Sequence, residues 1–286
     1  LKPLLLFTRA DELRSQVLAW RAAGESVGLV PTMGALHAGH LSLVGRSTEE
    51  CRRTVVSIFV NPTQFGPNED FSRYPRRLEN DLALLSDTGV NLVFAPATEE
   101  MYPAGHATFV EVERVSRLWE GAIRPGHFRG VATIVLKLFN AAPADRAYFG
   151  QKDYQQSVVI RRMVADLNVP IEIQVCPTVR EPDGLAMSSR NAFLNPEERG
   201  RAQVLSRSLR RAAELARGGE RDARRIASEM RRMVESTAEV VLDYAALVDP
   251  DTLEEVNRVE GPAVALIAAR VGSTRLIDNE LIGMTG

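Results

Sequence analysis

An open α/β domain built on a parallel sheet, followed by a smaller α+β domain, is the fold the sequence predicts. Three observations carry it. Short apolar, β-branched runs alternate with helical patterns over the first two thirds of the chain. No internal repeat or low-complexity segment interrupts that alternation. After residue 187 the texture changes to Arg-rich helical segments and then to β-like runs. Strands that alternate with helices pair in parallel through right-handed crossovers, which yields a doubly wound sheet.

The strands are expected at "VGLV" (27–30), "TVVSIFV" (54–60), "VNLVFA" (90–95), "RAYFG" (146–150) and "IEIQV" (171–175). Between and around them, "DELRSQVLAWRAA" (11–23), "HLSLVGRSTEECRR" (40–53), "RRLENDLALLSDTG" (76–89), "FRGVATIVLKLFNAA" (128–142) and "DYQQSVVIRRMVADL" (153–167) carry apolar residues at helical spacing. Later, Asn195 reads as an N-cap, with Pro196 at the first helical position and Glu198 three after the cap. One helix is expected to run from there to Gly218 and Gly219, and a second over 220–236. "VVLDYAALVDP" (240–250) and the run 262–282 read as strands. The predicted domains are 1–187 and 188–286.

The 286 residues need no disulfide to bury a core, since a chain of this size buries about 75% of its unfolded surface. Net charge is −2, which gives no general attraction to nucleic acid or to an anionic membrane. The second-domain arginines do not alter that reading. Val204, Leu205 and Leu209 fall at helical spacing, as do Ile226, Met230 and Met233, so the arginines lie mostly on the opposite, solvated face. No aromatic residues interleave with them to stack on bases. Cys51 and Cys176 are far apart in sequence; a disulfide between them stays open at this point, but reduced thiols of a cytoplasmic protein are the expected state. The apolar run in "LKPLLLF" is too short for a signal sequence, and no stretch approaches the ~20 residues that span a bilayer. The chain begins with Leu1 rather than Met, so a few residues are expected to precede it.

"PTMGALHAGHLSLV" (31–44) holds two of the four histidines three residues apart. It leaves a predicted strand, crosses a loop rich in small residues and enters a helix expected to begin near His40. The N–H groups of a helix start and its positive dipole end hold anions. His37 and His40 would stand one turn apart there, able to donate to a phosphate and, if protonated, to neutralise its charge. Two other readings stay open. The imidazoles could be structural caps, or an H-x-x-H metal pair, although the zincin pattern H-E-x-x-H is absent and no cysteine or carboxylate cluster completes a coordination sphere. No G-x-x-x-x-G-K-[ST] or G-x-G-x-x-G occurs anywhere.

"PTMGALHAGH" resembles the H-x-G-H loop of the nucleotidyltransferase and class I aminoacyl-tRNA synthetase superfamily, and specifically the pantothenate synthetase (pantoate–β-alanine ligase) family. "SIFVNPTQFGPNEDFSRYPR" (57–76), "RPGHFRGVATIVLKLFN" (124–140), "FGQKDYQQ" (149–156), "REPDGLAMSSRN" (180–191) and "RLIDN" (275–279) resemble that family in order and spacing. The resemblance implies a Rossmann-like first domain that binds ATP and pantoate, a second domain that closes over the site, and a homodimer. It implies that pantoate, ATP and β-alanine become pantothenate, AMP and pyrophosphate.

The roles it implies fall on particular residues. ATP is held by Met33, Gly34, Ala35, Leu36, His37, Ala38, Gly39 and His40, then by Gly150, Gln151, Lys152 and Asp153, and finally by Val179, Met187, Ser188, Ser189 and Arg190. His40, His37 and Lys152 are the catalytic groups, with the family's proton-donor role on His40. Asp153 receives the ribose hydroxyls, Gly150 lets the sugar approach the backbone, and Val179 meets adenine through its main chain. Gln64 and Gln156 bind pantoate, and Gln64 also binds β-alanine; an amide both donates and accepts, as a hydroxy acid requires. Met33 and Val60 pack against the gem-dimethyl carbon, and Asn61, Tyr74, Arg124 and His127 line the wall. Segments 61–76 and 188–191 are the expected lids. Mg²⁺ accompanies ATP, with Asp81 a candidate to help hold it. Thr63 stands where Met is usual and Gln151 where Glu is common, both beside the chemical positions. The nearest rival is a nucleotidyltransferase that stops after transfer to a phosphate ester. That reaction would use Arg or Lys at the acceptor, where this chain has two amides.

Overall fold

The computed structural model describes residues 4–67, 69 and 71–283. Leu1, and Asn68 and Asp70 within the expected lid, lie outside the described residues. The chain divides into two units, Leu1–Gly150 with Val159–Cys176, and Gln151–Val158 with Pro177–Gly286. The change of texture in the sequence lies at 187/188; the division by contacts lies at 176/177 and assigns the short segment 151–158 to the second unit.

The first unit runs β1 (Leu5–Phe7), α1 (Ala10–Ala22), β2 (Val27–Thr32), α2 (Ala38–Glu50), β3 (Arg53–Ile58), α3 (Leu78–Leu85), β4 (Leu92–Phe94), α4 (Thr98–Met101), α5 (Trp119–Ile123), α6 (His127–Ala141) and β5 (Arg146–Gly150). It takes up helix α7 (Tyr154–Asp166) from Val159 on and ends with β6 (Glu172–Cys176). The sheet is six-stranded in the order β1-β4-β3-β2-β5-β6, and every pairing is parallel. Both faces of its centre are covered: Val27, Leu29 and Val30 on β2, Val55 and Val56 on β3, and the whole of β4 are fully buried. At about 1.5–3 kcal/mol per buried aliphatic or aromatic side chain, these strands hold the unit together. Strand order reverses between β2 and β5, and sheets of this type bind ligands beyond the carboxyl ends of the strands at such a point. The loop leaving β2 there is the histidine loop.

Departures from the sequence reading are local. β1 escapes that reading, because three residues of an edge strand carry too little period; pairing of Leu5, Leu6 and Phe7 with Leu92, Val93 and Phe94 makes it a strand. Helix α2 starts at Ala38, two residues before the expected start. It stops at Glu50, where Cys51 turns extended (φ −123°, ψ 144°) to feed the β3 pairing.

In the second unit α8 (Pro196–Ala202), α9 (Val204–Arg217) and α10 (Ala223–Glu235) precede an antiparallel sheet of β7 (Val240–Val248), β8 (Ala263–Val271) and β9 (Thr274–Ile282). The expected capping box is present: the Asn195 side chain accepts from Glu198 N, and the Glu198 carboxylate from Asn195 N. The single helix expected over 195–219 is two. Gln203 turns its N–H to the Arg201 carbonyl, which interrupts the i→i−4 ladder between α8 and α9. The apolar stripes hold the core, with Val204, Leu205, Leu209, Ile226 and Met230 buried beside Ala265 and Ile267. Arg207, Arg210, Arg224, Arg225 and Arg232 are exposed. Among the described residues no helix is long and apolar enough to cross a membrane.

Candidate active site

The histidine loop is folded by its own residues and by one distant carboxylate. At the end of β2, the Thr32 hydroxyl donates to the Ser57 carbonyl (2.7 Å) and accepts from Gly34 N (3.2 Å). Gly34 takes φ +80°, and Ala35 follows at φ +50°. Any Cβ on Gly34 would lie 2.9 Å from an Asp81 oxygen, so glycine is required by both conformation and space. Successive N–H groups turned the same way form an anion-binding nest. Here the nest is filled from within: Ala35 N and Leu36 N donate to the two oxygens of Asp81 at 2.9 and 2.8 Å. Asp81 is 2% exposed. The carboxylate considered for Mg²⁺ is a brace for the loop, and the backbone donors of 35 and 36 are committed to it.

The imidazoles of His37 and His40 are the side-chain donors of this loop. His37 is the N-cap of α2: its Nδ1 accepts from Gly39 N (3.1 Å), while His40 Nδ1 accepts from His37 N (3.4 Å). A nitrogen that accepts an N–H carries no proton, so both rings hold theirs on Nε2 in this arrangement. The two rings lie 4.1 Å apart between centroids, tilted by 38°. The structural-cap reading and the donor reading are thus compatible: Nδ1 caps, and the proton sits on Nε2. The donor reading does not require charged rings. Among the described residues no group of three or more His, Cys, Asp or Glu is placed to hold a metal ion.

Gln64, in the same unit, is nearly buried at 9% exposure and ends the 3₁₀ turn Pro62–Gln64. Asn61, 1% exposed, donates from Nδ2 to Gln64 Oε1 and to the Gly130 carbonyl, each at 3.1 Å. Its Oδ1 accepts from the Tyr102 hydroxyl (2.8 Å) and the Thr63 hydroxyl (3.0 Å), so Thr63 is a working part of the turn. These bonds fix the Gln64 amide with its nitrogen toward Met33 Sδ, 3.0 Å away. Sulfur is a weak acceptor, which a carboxylate would displace readily. Helix α6 approaches this turn closely; a Cβ on Gly130 would sit 2.4 Å from the Thr63 carbonyl oxygen. Of the residues expected in the wall, Tyr74 is buried edge-on against Phe65, with centroids 5.8 Å apart.

Arg124 and His127 secure the same turn. The Arg124 guanidinium binds Glu69 at 2.7 and 2.6 Å and donates to His127 Nε2 at 3.1 Å. Because guanidinium has only donors, Nε2 must accept, and His127 Nδ1–H donates to the Gln64 carbonyl at 2.8 Å. Burial, and then the Arg124 charge, lower His127 to about 4. Burial works against Glu69, yet the Arg124 guanidinium holds its carboxyl below the usual range. The stability consequence follows. The unfolded chain takes up the His127 proton near 6.5 and the folded chain only near 4. Stability is therefore lost as pH falls from about 6.5 toward about 4, by roughly 3 kcal/mol for this group at about 1.4 kcal/mol per pH unit. Urea titrations should show that slope between pH 7 and pH 4.5 in the wild type and a flatter one in His127→Gln. Equal slopes would remove His127 as its cause.

In the second unit the remaining site residues lie on two segments. Gln151–Asp153 is a 3₁₀ turn. Lys152 has 19% of its side chain exposed and Nζ 3.7 Å from Asp153 Oδ1, while Asp153 is half exposed. Gln156 is half-buried one turn further on. The second segment closes on itself: Met187 N donates to the Val179 carbonyl (3.0 Å) and Arg180 bridges to Ala186. Ser188 caps the 3₁₀ turn Ser189–Phe193 by accepting from Arg190 N. Asn191 binds Glu181 (2.7 Å) and the Ala186 carbonyl (3.1 Å).

The structure thus brings 33–40 and Gln64 together in the first unit, where Gly150 ends β5, and carries 151–153, Gln156, Val179 and 187–190 in the second. The Asp81 brace and the Tyr102 and Glu69 contacts were not legible in the sequence. Each partner is tens of residues away, and no local pattern announces it.

A family model described as pantoate-beta-alanine ligase matches residues 5–281 of the chain. The pantothenate synthetase of Rubrobacter xylanophilus is 56% identical over 98% of this chain and 99% of its own length. A crystal structure of pantothenate synthetase from Thermus thermophilus superposes with a TM-score of 0.92 at 49% identity, over 97% of this chain and 99% of that one. One of pantoate-beta-alanine ligase from Francisella tularensis, complexed with beta-gamma ATP and β-alanine, gives a TM-score of 0.80 at 32% identity, over 99% of each chain.

Proposed function

The chain belongs to the pantoate-beta-alanine ligase family, and from that premise we infer that it joins pantoate to β-alanine at the expense of ATP, through a pantoyl adenylate, releasing AMP and pyrophosphate. The observation that carries this reading is a family match spanning residues 5–281 with the histidine loop, the "GQKD" turn and the "SSR" segment all inside it.

A carboxylate resists attack by an amine because oxide would have to leave. In the first step a pantoate carboxylate oxygen attacks the α-phosphorus of ATP, and pyrophosphate departs. Negative charge grows on the phosphoryl oxygens and on the departing bridge oxygen, where preorganised donors are worth most. His37 and His40 supply Nε2–H donors, Lys152 a point charge, and Ser188, Ser189 and Arg190 close over the triphosphate. Asp153 receives the ribose hydroxyls. The remaining loop residues Met33 to Gly39, with Gly150, Gln151, Val179 and Met187, shape the nucleotide surface.

Gln64 and Gln156 hold pantoate, and Gln64 then meets β-alanine. In the second step the β-alanine amine attacks the adenylate carbonyl, the amide C–N bond forms, AMP leaves with the C–O bond electrons, and one amine proton is released. Segments 61–76 and 188–191 keep water from the adenylate between steps. Mg²⁺ enters with ATP, held by the phosphates; Asp81 is spent on the loop, and no step is assigned to the ion. A homodimer, a cytoplasmic location and small-molecule substrates, without nucleic acid or membrane partners, complete the reading.

The test is isotope exchange between pyrophosphate and ATP. The protein should catalyse exchange that requires pantoate but not β-alanine, and should release AMP once β-alanine is added. Exchange supported by a phosphate ester in place of pantoate, with no AMP released, would favour the nucleotidyltransferase reading.

A further inference from the structure

The motif "RLIDN" (275–279) has no part in the chemistry above, yet its last two residues are among the most buried polar groups of the second unit. Asp278 is 4% and Asn279 2% exposed. We propose that Asn279 is a positioning residue of the ligase reaction: its amide fixes the turn that presents Lys152 and Asp153, and Asp278 beside it anchors the segment that presents Ser188, Ser189 and Arg190. The inference rests on the ligase reading of those two segments.

The hydrogen bonds permit one orientation of the amide. Asn279 Nδ2 lies 2.9 Å from the Gln151 carbonyl oxygen and 2.8 Å from that of Lys152. Two carbonyls can face only a donor, so the nitrogen points at the turn and Oδ1 points away from it. Oδ1 must then accept, and Gln151 Nε2 donates to it at 3.3 Å. Both N–H bonds of one buried amide thus close on consecutive carbonyls of a three-residue turn, and the turn's first side chain closes the ring. This arrangement also gives Gln151 a task. Its amide provides the donor that an ionised Glu at this position would lack.

Asp278 works on the other segment. Its carboxylate takes the Arg180 guanidinium at 2.7 and 3.1 Å and accepts from Asn279 N at 2.8 Å. Arg180 also donates to the Gly184 and Asn279 carbonyls. Arg180 opens the segment that the Met187–Val179 bond and the Asn191 contacts carry on to Ser188. Strand β9 itself is held along its length by β8, with Asp278 opposite Ile267 and Asn279 opposite Leu266. Two adjacent residues on a rigid strand therefore set the backbone of both phosphate-facing segments of this unit. A misplacement of about 1 Å costs on the order of 100-fold in rate, which is the expected scale of losing this clamp.

The experiment compares wild type, Asn279→Ala and Asn279→Asp in pantoate-dependent exchange, with melting temperature and circular dichroism on the same preparations. Asn279→Asp keeps the size and shape but sets an acceptor against two carbonyls. Both variants should fold, lose about 100-fold in kcat and raise the KM for ATP about tenfold, while the KM for pantoate stays within about threefold. A residue needed only for stability would lower the active fraction and leave the KM for ATP unmoved. A folded variant with unchanged KM for ATP overturns the proposal, as does failure of both variants to fold. Wild-type protein without pantoate-dependent exchange would instead sink the ligase reading, and this inference with it.

Discussion

Lys152→Ala should lower pantoate-dependent exchange by about 10²–10³-fold, the usual cost of removing one preorganised group from a site of developing charge. Its fold should survive. Lys152 stands on a turn held through backbone carbonyls by Asn279, so its side chain is not part of the clamp. Its ion pair with Asp153 is long at 3.7 Å, and the carboxylate is half exposed. Such pairs contribute about 0–1 kcal/mol, too little to unfold a chain of this size. Lys152→Arg should recover only part of the activity, since a planar fork does not replace a compact ammonium at one phosphate oxygen. Exchange rates read beside melting temperatures decide it: a loss under tenfold at unchanged stability would remove Lys152 from the chemistry.

His40→Ala should cost a similar factor, by a different route. The ring caps the N–H of His37 through Nδ1 and, in the proposed reaction, offers Nε2–H to phosphate, so truncation removes the proposed donor and loosens the loop that carries its neighbour. His40→Gln separates donation from proton transfer. A glutamine amide places an N–H near the position of Nε2 but cannot exchange a proton at neutral pH. If His40 acts as a donor to phosphate, the glutamine variant should retain at least tenfold more exchange activity than the alanine variant. Equal loss in both, at unchanged melting temperature, would count against donation to phosphate as the role of His40.

Much of the fold was legible because period and length agree. The strand "RAYFG" and the helix after His127 are long enough, and periodic enough, to be found within a residue or two. β1 was not, because three edge residues carry no period, and the α8–α9 break carries no glycine or proline at Gln203 itself, Gly200 lying inside α8. In the candidate site, the order of the motifs named the segments proposed for the chemistry, while their supports stayed hidden. Asp81 lies 46 residues from Ala35 and Asn279 127 from Lys152. A carboxylate filling a backbone nest has the same sequence signature as one waiting for a metal ion. Likewise, the imidazole tautomers follow from hydrogen-bond partners that sequence does not name. Thr63 and Gln151 hold partners suited to them: the hydroxyl beside Asn61 and Tyr102, and the amide beside Asn279.

The proposed function rests on His37, His40, Lys152 and the Ser188–Arg190 segment serving the same nucleotide. A crystal structure of the protein with a non-hydrolysable ATP analogue and pantoate measures this directly. The account predicts one triphosphate within hydrogen-bond distance of His40 Nε2, Lys152 Nζ and Ser189 or Arg190, with the pantoate carboxylate facing the α-phosphorus. A triphosphate that meets only one of the two sets, with the other beyond reach, would contradict it.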